Sequence, residues 1–340
     1  MVDRAREPHV RGLDAFARLF ARLWAAAKVK RKRFPLCSAA SSGVPRLKSR
    51  SAIRIAGVVA GLATAIALTA CGSDTEHSGK PTIVASTNVW GDIAAQIAGP
   101  DATVSAIIGD PNIDPHSYET TATDSAKFAD ASLVVYNGGG YDEFAAKAIG
   151  GRNKKTVQAF ESRTDRADQN EHVWYDVTTV GAVADRIAAA LGEIDTANAA
   201  AYADRAAAFR ARLGAITAIA GKIAADHPKT PVLQTEPIAH YLLRTAAAED
   251  RTPREFQNAI EQETDPAPAA VAAVRELLTG KQVRALIYNV QTEDKTTEGL
   301  RDIARSAGVP VVEVTETLPS GTDYVQWQIK NAQALATALS

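Results

Sequence analysis

The sequence predicts an α/β protein of two lobes with mainly parallel sheets, joined by a long rigid linker helix. Three observations support this prediction. A chain of 340 residues is long enough for about two domains. From Pro81 onward, short runs rich in β-branched residues alternate with helical segments. A long alanine-rich stretch, 178–228, then separates two regions that both show this alternation, 81–177 and 229–340.

The predicted strands are short and apolar, as expected for strands of a parallel sheet. They are residues 82–86, 103–108, 132–137, 231–235, 284–289 and 310–315. Helices with apolar residues at helical spacing lie between them, for example 89–99 and 296–308, and each ends at a glycine that can cap it.

The stretch 178–228 predicts two linker helices with a break near residue 195. Asp195 or Thr196 can cap the second helix, about 197–226, by accepting hydrogen bonds from its first turn. Such a helix is roughly 45 Å long at 1.5 Å per residue. A coiled-coil partner helix is the weaker alternative, because no strict heptad with charged flanks persists.

Residues 1–70 are interpreted as a basic head and a lipoprotein signal peptide. Residues 1–50 hold thirteen Lys and Arg residues against three acidic ones, whereas the rest of the chain is acidic, which does not indicate nucleic-acid binding. Sixteen uncharged residues, Ile55–Ala70, then end in Leu-Thr-Ala-Cys, which resembles the bacterial lipobox. We therefore expect lipidation at Cys71, a flexible tether over 71–80, and a membrane-anchored protein on the extracytoplasmic face.

Two alternatives stay open in this region. The apolar run could be an uncleaved membrane helix that happens to contain a cysteine. Residues 1–43 could form a basic amphipathic helix on an anionic membrane, or translation could begin later, for example at Val44. Because Cys37 and Cys71 are the only cysteines, the mature domain has no thiolate to bind metal and no disulfide.

Three histidines are candidates for chemistry: His116, His172 and His240. Two Asp-Pro turn signals precede His116 and could hold its imidazole in a fixed direction. Asp176, four residues after His172, could accept the second imidazole N–H or could cap the following helix. Each histidine could equally be a structural residue when considered alone.

Taken together, the stretches "DPHSYE" and "NEHVWYDV" resemble the metal-binding solute-binding lipoproteins of ABC importers, the TroA-like or ZnuA-like zinc and manganese receptors. The resemblance covers most of residues 81–340. It implies two α/β lobes bridged by one rigid helix, with a metal in the cleft and two ligands from each lobe. His116 and His172 match the family's N-lobe ligands. The implied partners are a permease and its ATPase, and the implied state is a monomer.

For the C-lobe ligands, the resemblance points to Glu236 and Glu316. Glu236 follows a strand and lies five residues before Tyr241, which matches the position of the family's third ligand. The family's zinc branch usually has His at this position, whereas its manganese branch resembles this sequence in having Glu. His240 is the rival third ligand, since it lies four residues from Glu236 on a predicted helix. Glu316 stands where the family has an aspartate, so its mode of coordination is open, and it could instead be an exposed loop carboxylate.

Two imidazoles and two carboxylates suit Mn²⁺, Fe²⁺ or Zn²⁺, and we expect Zn or Mn as cargo. The family's zinc receptors often carry a long His- and Asp-rich loop. Residues 152–172 contain a single histidine, His172, which weakens the argument for zinc as the cargo. A siderophore or cobalamin is the alternative ligand for this fold. The sequence has no H-E-x-x-H helix and no dense Asp/His cluster, so we do not expect an enzyme.

Overall fold

The computed structural model describes residues 79–110, 113–151, 153–262 and 264–340. The predicted head and signal peptide, Cys71 and the tether up to residue 78 lie outside the described residues. Within the described part of the chain, no helix combines the length and the apolarity needed to span a bilayer.

The first half of the structure is a four-stranded parallel sheet covered by helices. Its strands lie in the order β2-β1-β3-β4, and β1 is central, with Val84 paired to Ser105 on one side and to Val134 on the other. The strands are β1 (Thr82–Thr87), β2 (Thr103–Ile108), β3 (Leu133–Tyr136) and β4 (Thr156–Gln158), and the helices are α1 (Asn88–Ala98), α2 (Ala122–Asp130) and α3 (Glu143–Ile149).

Two helices then lead to the second half: α4 (Val177–Ile194) and α5 (Ala199–Asp226). The 28 residues of α5 give a length of about 42 Å. Its buried side chains recur every four and three residues and form one continuous stripe: Tyr202, Ala206, Phe209, Leu213, Ile216, Ala220 and Ile223. This stripe packs against α4 and, in the second half, against the C-terminal helix of the same chain.

The predicted capping of this helix is wrong. A 3₁₀ turn, Thr196–Asn198, precedes α5, and no side chain caps the first turn of α5. The Asp195 carboxylate instead accepts hydrogen bonds from the Asn198 amide and the Tyr202 hydroxyl. The helix therefore begins at Ala199, because the tight turn uses the residues that were expected to start it.

The second half repeats the architecture of the first. Its parallel sheet has the order β6-β5-β7-β8, which is the same order of strands along the chain as in the first sheet. The strands are β5 (Pro231–Gln234), β6 (Glu249–Asp250), β7 (Ala285–Asn289) and β8 (Val311–Val314). The helices are α6 (His240–Thr245), α7 (Arg254–Glu261), α8 (Pro268–Thr279), α9 (Lys295–Ala307) and α10 (Tyr324–Leu339).

Hydrogen bonds tie the two halves together. The Asn88 amide, at the start of α1, donates to the carbonyl of Leu318 and accepts from its N–H, both at 2.9 Å. The buried Tyr324 hydroxyl donates to the Trp174 carbonyl at 2.6 Å. One hydrophobic cluster of buried residues runs from the first sheet through α4 and α5 to the second sheet. The predicted fold class is confirmed, although β4 and β6 were not predicted.

Candidate metal centre

Three neighbouring strands of the second sheet place polar side chains at their carboxyl ends. Glu236 lies two residues beyond β5, and Glu316 lies two residues beyond β8. Asn289 is the last residue of β7, which lies between β5 and β8. Ligands of open parallel sheets bind at this edge, so the topology places these three side chains next to one another at a natural binding position.

His116 lies in the loop after β2. The Asp114 carboxylate accepts hydrogen bonds from the His116 N–H and the Ser117 hydroxyl, both at 2.9 Å, which fixes the turn. The imidazole packs edge-on to the ring of Tyr141 with centroids 4.8 Å apart. Glu171 Oε1 lies 3.8 Å from its Nδ1, so His116 Nε2 is the nitrogen left to face the cleft.

His172 lies immediately before a short 3₁₀ turn, Val173–Tyr175, and is fully buried. Asn170 Oδ1 lies 3.3 Å from the Nδ1 of the imidazole and also accepts the His172 backbone N–H. A hydrogen bond at Nδ1 leaves Nε2 free to bind a metal. Of the two roles considered for Asp176, the structure shows the helix cap: its carboxylate accepts the N–H of Thr178 at the start of α4.

The structure brings the four predicted ligands together. One potential ligand atom from each of His116, His172, Glu236 and Glu316 lies within 4.8 Å of the others. His116 Nε2 is 3.7 Å from Glu316 Oε2, and His172 Nε2 is 3.8 Å from Glu236 Oε1. Each imidazole of the first half therefore faces one carboxylate of the second half.

The atoms that face this point lack other partners. His116 Nε2, His172 Nε2 and Glu316 Oε2 are buried and make no hydrogen bond. Burying such groups without a partner is costly. The residues Glu236 and Glu316 are at most 3% exposed, whereas the His116 side chain is 17% exposed. A divalent cation among these four atoms would satisfy the orphaned nitrogens and the carboxylate oxygen, so the residues fit a metal.

The other oxygen of each carboxylate is already occupied. The Asn289 amide nitrogen donates to Glu236 Oε2 at 2.6 Å and to Glu316 Oε1 at 2.8 Å. The Thr292 hydroxyl also donates to Glu236 Oε2 at 2.8 Å. Each carboxylate therefore has one oxygen held by the protein and one directed at a histidine.

Burial and the neighbouring charges shift the pKa values of three of the four clustered side chains. Burial and then the nearby charge of Glu236 raise the pKa of Glu316 to about 8. Burial alone would raise the pKa of Glu236, but contact with His172 and the Asn289 amide outweighs burial and lowers it. Burial alone would lower the pKa of His172, but the Glu236 carboxylate outweighs that effect and raises it. Glu316 is therefore the carboxyl group of the pair that holds a proton more readily, whereas Glu236 favours its ionised form beside His172.

His240, the rival third ligand, is not part of the cluster. Its Nε2 lies 2.7 Å from Asp168 Oδ2, and Arg244 contacts the same carboxylate at 2.8 Å. Although His240 follows Glu236 by four residues, Glu236 precedes the 3₁₀ turn Pro237–Ala239, so the two do not share a helix face. The His240 imidazole and the Arg244 guanidinium therefore both contact Asp168, in the loop that leads to His172.

Sequence reasoning missed the supporting residues Asn170, Glu171, Asn289 and Thr292. For Asn289 a usable signal existed, because it is the polar last residue of the predicted strand 284–289. The order of the strands, which brings it between two glutamates, is not visible in the sequence.

Comparison with curated proteins finds relatives along most of the chain. The chain is 23% identical over 299 residues to SloC of Streptococcus mutans, a metal ABC transporter substrate-binding lipoprotein; the match covers 81% of this chain and 95% of that protein. It is 25% identical over 262 residues to the manganese-binding lipoprotein MntA of Bacillus subtilis, covering 71% of this chain and 82% of that protein.

Solved structures share the fold. The zinc-binding protein TroA of Treponema pallidum superposes with a TM-score of 0.66 at 20% identity and covers 77% of this chain and all of its own. The solute-binding protein FpvC of Pseudomonas aeruginosa, solved with Mn²⁺, gives a TM-score of 0.65 at 22% identity, covering 77% of this chain and 98% of its own.

The sequence profile of the family ZnuA, described as zinc-uptake complex component A, periplasmic, matches residues 83–338. This match spans most of the chain, which therefore belongs to the ZnuA family.

Proposed function

We propose that this protein is the extracytoplasmic receptor of an ABC importer and captures a divalent transition metal, Zn²⁺ or Mn²⁺, between its two halves. His116, His172, Glu236 and Glu316 bind the ion. The observation that carries the proposal is the convergence of four donor atoms within 4.8 Å, two from each half. The family and the relatives named above support the same function.

The donor set fits such an ion in charge and in chemistry. Two carboxylates balance the charge of a divalent cation, and two imidazoles complete a nitrogen and oxygen set that suits zinc and other first-row metals. Since both histidines come from the first half and both glutamates from the second, a bound ion links the halves. It therefore favours the closed arrangement by its contacts with both.

A receptor fits the site better than an enzyme does. A metallohydrolase needs an open coordination position and room for a substrate next to it. Here three of the four donor residues are almost fully buried, and the four donor atoms can surround one small ion. The siderophore or cobalamin alternative is not favoured, because a bulky chelate brings its own donors and does not need these four.

Delivery of the ion requires partners at the membrane. We infer that a permease and its ATPase accept the ion and that a lipid on Cys71 holds the receptor at the extracytoplasmic face; the relatives SloC and MntA are both named lipoproteins. All four donors come from one chain, which is consistent with a monomeric receptor.

The proposal predicts different effects for two neighbouring substitutions. Glu236→Ala removes one of four ligands, and we expect the affinity for Zn²⁺ and Mn²⁺ to fall by about 100-fold or more, about 2.7 kcal/mol. His240→Ala removes contacts with Asp168 and the Tyr241 ring but no proposed ligand, and it should leave metal affinity nearly unchanged. Isothermal titration with a competing chelator measures both.

The wild-type protein should bind one equivalent of metal in the same experiment. Wild-type protein that binds neither metal, or a Glu236→Ala variant with wild-type affinity, contradicts the proposed site.

A further inference from the structure

We propose that Asn289 is a specificity-determining residue: by holding one oxygen of Glu236 and one of Glu316, it makes both carboxylates bind metal through a single oxygen and so favours Zn²⁺ over Mn²⁺. This inference rests on the proposed function and names the cargo of that site.

The orientation of the Asn289 amide is fixed by its other contacts. Asn289 Oδ1 accepts the backbone N–H of Gln291 at 3.1 Å, so the nitrogen must point toward the carboxylates. That nitrogen has two hydrogens, and it donates to two acceptors, Glu236 Oε2 and Glu316 Oε1. The side chain is 1% exposed, so water does not compete for these bonds.

The bound oxygens are those that a bidentate carboxylate would need. Glu236 Oε2 also accepts from Thr292, so two donors hold it away from the cluster. On Glu316, Oε2 is the oxygen without a hydrogen bond, and it is the one that lies 3.7 Å from His116. Rotating either carboxylate to offer both oxygens would break a buried hydrogen bond to a charged group, which is among the stronger hydrogen bonds in proteins.

The Gln291 side chain holds the backbone at Glu316 by hydrogen bonds. Its Oε1 accepts the N–H groups of Glu316 at 2.6 Å and Thr317 at 3.0 Å. The loops after β7 and β8 therefore act as one support, which leaves Glu316 little freedom to change its approach to a metal.

A site with two imidazole nitrogens and two single oxygens offers four donors. Zinc in proteins is usually four-coordinate and tetrahedral, whereas manganese prefers octahedral coordination by six donor atoms, mainly oxygens. A carboxylate whose second oxygen is held by Asn289 is less free to bind manganese through both oxygens and so to raise its coordination number. The support provided by Asn289 thus adds to the general preference of such donors for zinc over manganese.

The test compares the ratio of zinc to manganese affinity in four proteins: the wild type, Asn289→Ala, Thr292→Val and Asn198→Ala. Changes to residues that support metal ligands typically alter affinity by about 10–100-fold. We expect Asn289→Ala to lower zinc affinity within this range and manganese affinity less, so that the ratio falls by about tenfold or more. Thr292→Val removes one of the two hydrogen bonds that hold Glu236 Oε2 and leaves the bond from Asn289, so it should lower the ratio by a smaller factor.

Asn198→Ala is the matched control, since its amide also donates to a carboxylate, that of Asp195, but at the start of α5. Its ratio should equal that of the wild type. Thermal unfolding in a chelator checks that each variant folds; if Asn289→Ala does not fold, Asn289→Leu, which keeps the size of the side chain but cannot donate, takes its place. An unchanged ratio in the folded Asn289 variant overturns the inference.

X-ray absorption on the zinc-loaded wild type gives an independent readout. We expect four nitrogen and oxygen ligands at about 2.0–2.2 Å. Five or six ligands, indicating a bidentate carboxylate, overturn the inference while leaving the proposed function intact. Failure of the wild type to bind either metal instead defeats the proposed function itself.

Discussion

Glu316 is a buried carboxyl group whose ionisation we expect to be linked to metal binding. In the metal-free protein, burial and the charge of Glu236 raise its pKa to about 8, so it is mostly protonated at pH 7. Because the pKa of Glu316 is higher in the folded than in the unfolded protein, its contribution to the free energy of unfolding is greatest when the pH lies below the unfolded-state pKa. This contribution is lost as the pH rises through about 8. A bound divalent cation would offset both burial and the charge of Glu236, because its positive charge stabilises the ionised carboxylates.

Metal uptake should therefore release a proton from Glu316 in a pH-dependent way. We expect the number of protons released on zinc binding to be larger at pH 7 than at pH 9, where Glu316 is already ionised. Titration calorimetry in buffers of different ionisation enthalpy measures this number.

The variant Glu316→Gln keeps the shape of the side chain but cannot titrate there. It should lose the pH-dependent part of the release that comes from Glu316. Equal proton release by the wild type at pH 7 and pH 9 would argue against a protonated Glu316 in the metal-free protein.

At the scale of elements, the turn after β3 supports the His172 segment. Asp142 accepts the N–H groups of Asn137 and Gly138, and the Asn137 amide donates to the Glu171 carbonyl at 2.8 Å. Gly138 has a φ of +74°, and a Cβ there would lie 2.0 Å from Gln158 Nε2. The turn thus needs glycine both for its backbone conformation and for space.

Gly138→Ala should lower the free energy of unfolding by about 2–5 kcal/mol, combining the cost of a left-handed residue with that of overpacking. Gly308→Ala is the control, since Gly308 has a similar φ of +72° but no atom lies within 4 Å of the place that a Cβ would take. It should cost only about 1–2 kcal/mol. Chemical denaturation compares the two, and equal losses would show that the contact with Gln158 is unimportant.

The elements also show what a sequence can and cannot predict. Six strands and both linker helices are predicted to within a few residues, because β-branched runs and helical spacing are local signals. The two-residue strand β6 has no such pattern. The predicted cap at Asp195 was wrong because side chains such as Asp and Asn can also form hydrogen-bonded turns, as Asp195 does with Asn198. The role of Asn289 depends on the β5-β7-β8 order, which is a tertiary property.

At the scale of the whole molecule, the buried stripe of α5 joins the two halves. Phe209 is 3% exposed, and its ring lies 6.1 Å from that of Tyr324 in α10. The stripe has the four-three spacing of a coiled-coil seam, although the sequence lacks a strict heptad with charged flanks. The helices α4 and α10, which pack against it, belong to the same chain.

Phe209→Ala should lower the free energy of unfolding by about 3–5 kcal/mol, since it leaves a cavity where α5 meets α10. Thr217→Ala, on the exposed face of the same helix, should change it by less than about 0.5 kcal/mol. Urea denaturation of the metal-free proteins checks both. A small loss for Phe209→Ala would mean that the neighbouring helices close the cavity.

The uneven exposure of the four donors gives the cluster one open side. Three of them are sealed inside the protein, and only His116, on an irregular loop, meets solvent. We expect an ion to leave past this imidazole, so that unloading can begin with a shift of the His116 loop alone. A permease that docks over His116 would then govern the rate of release without prising the halves apart.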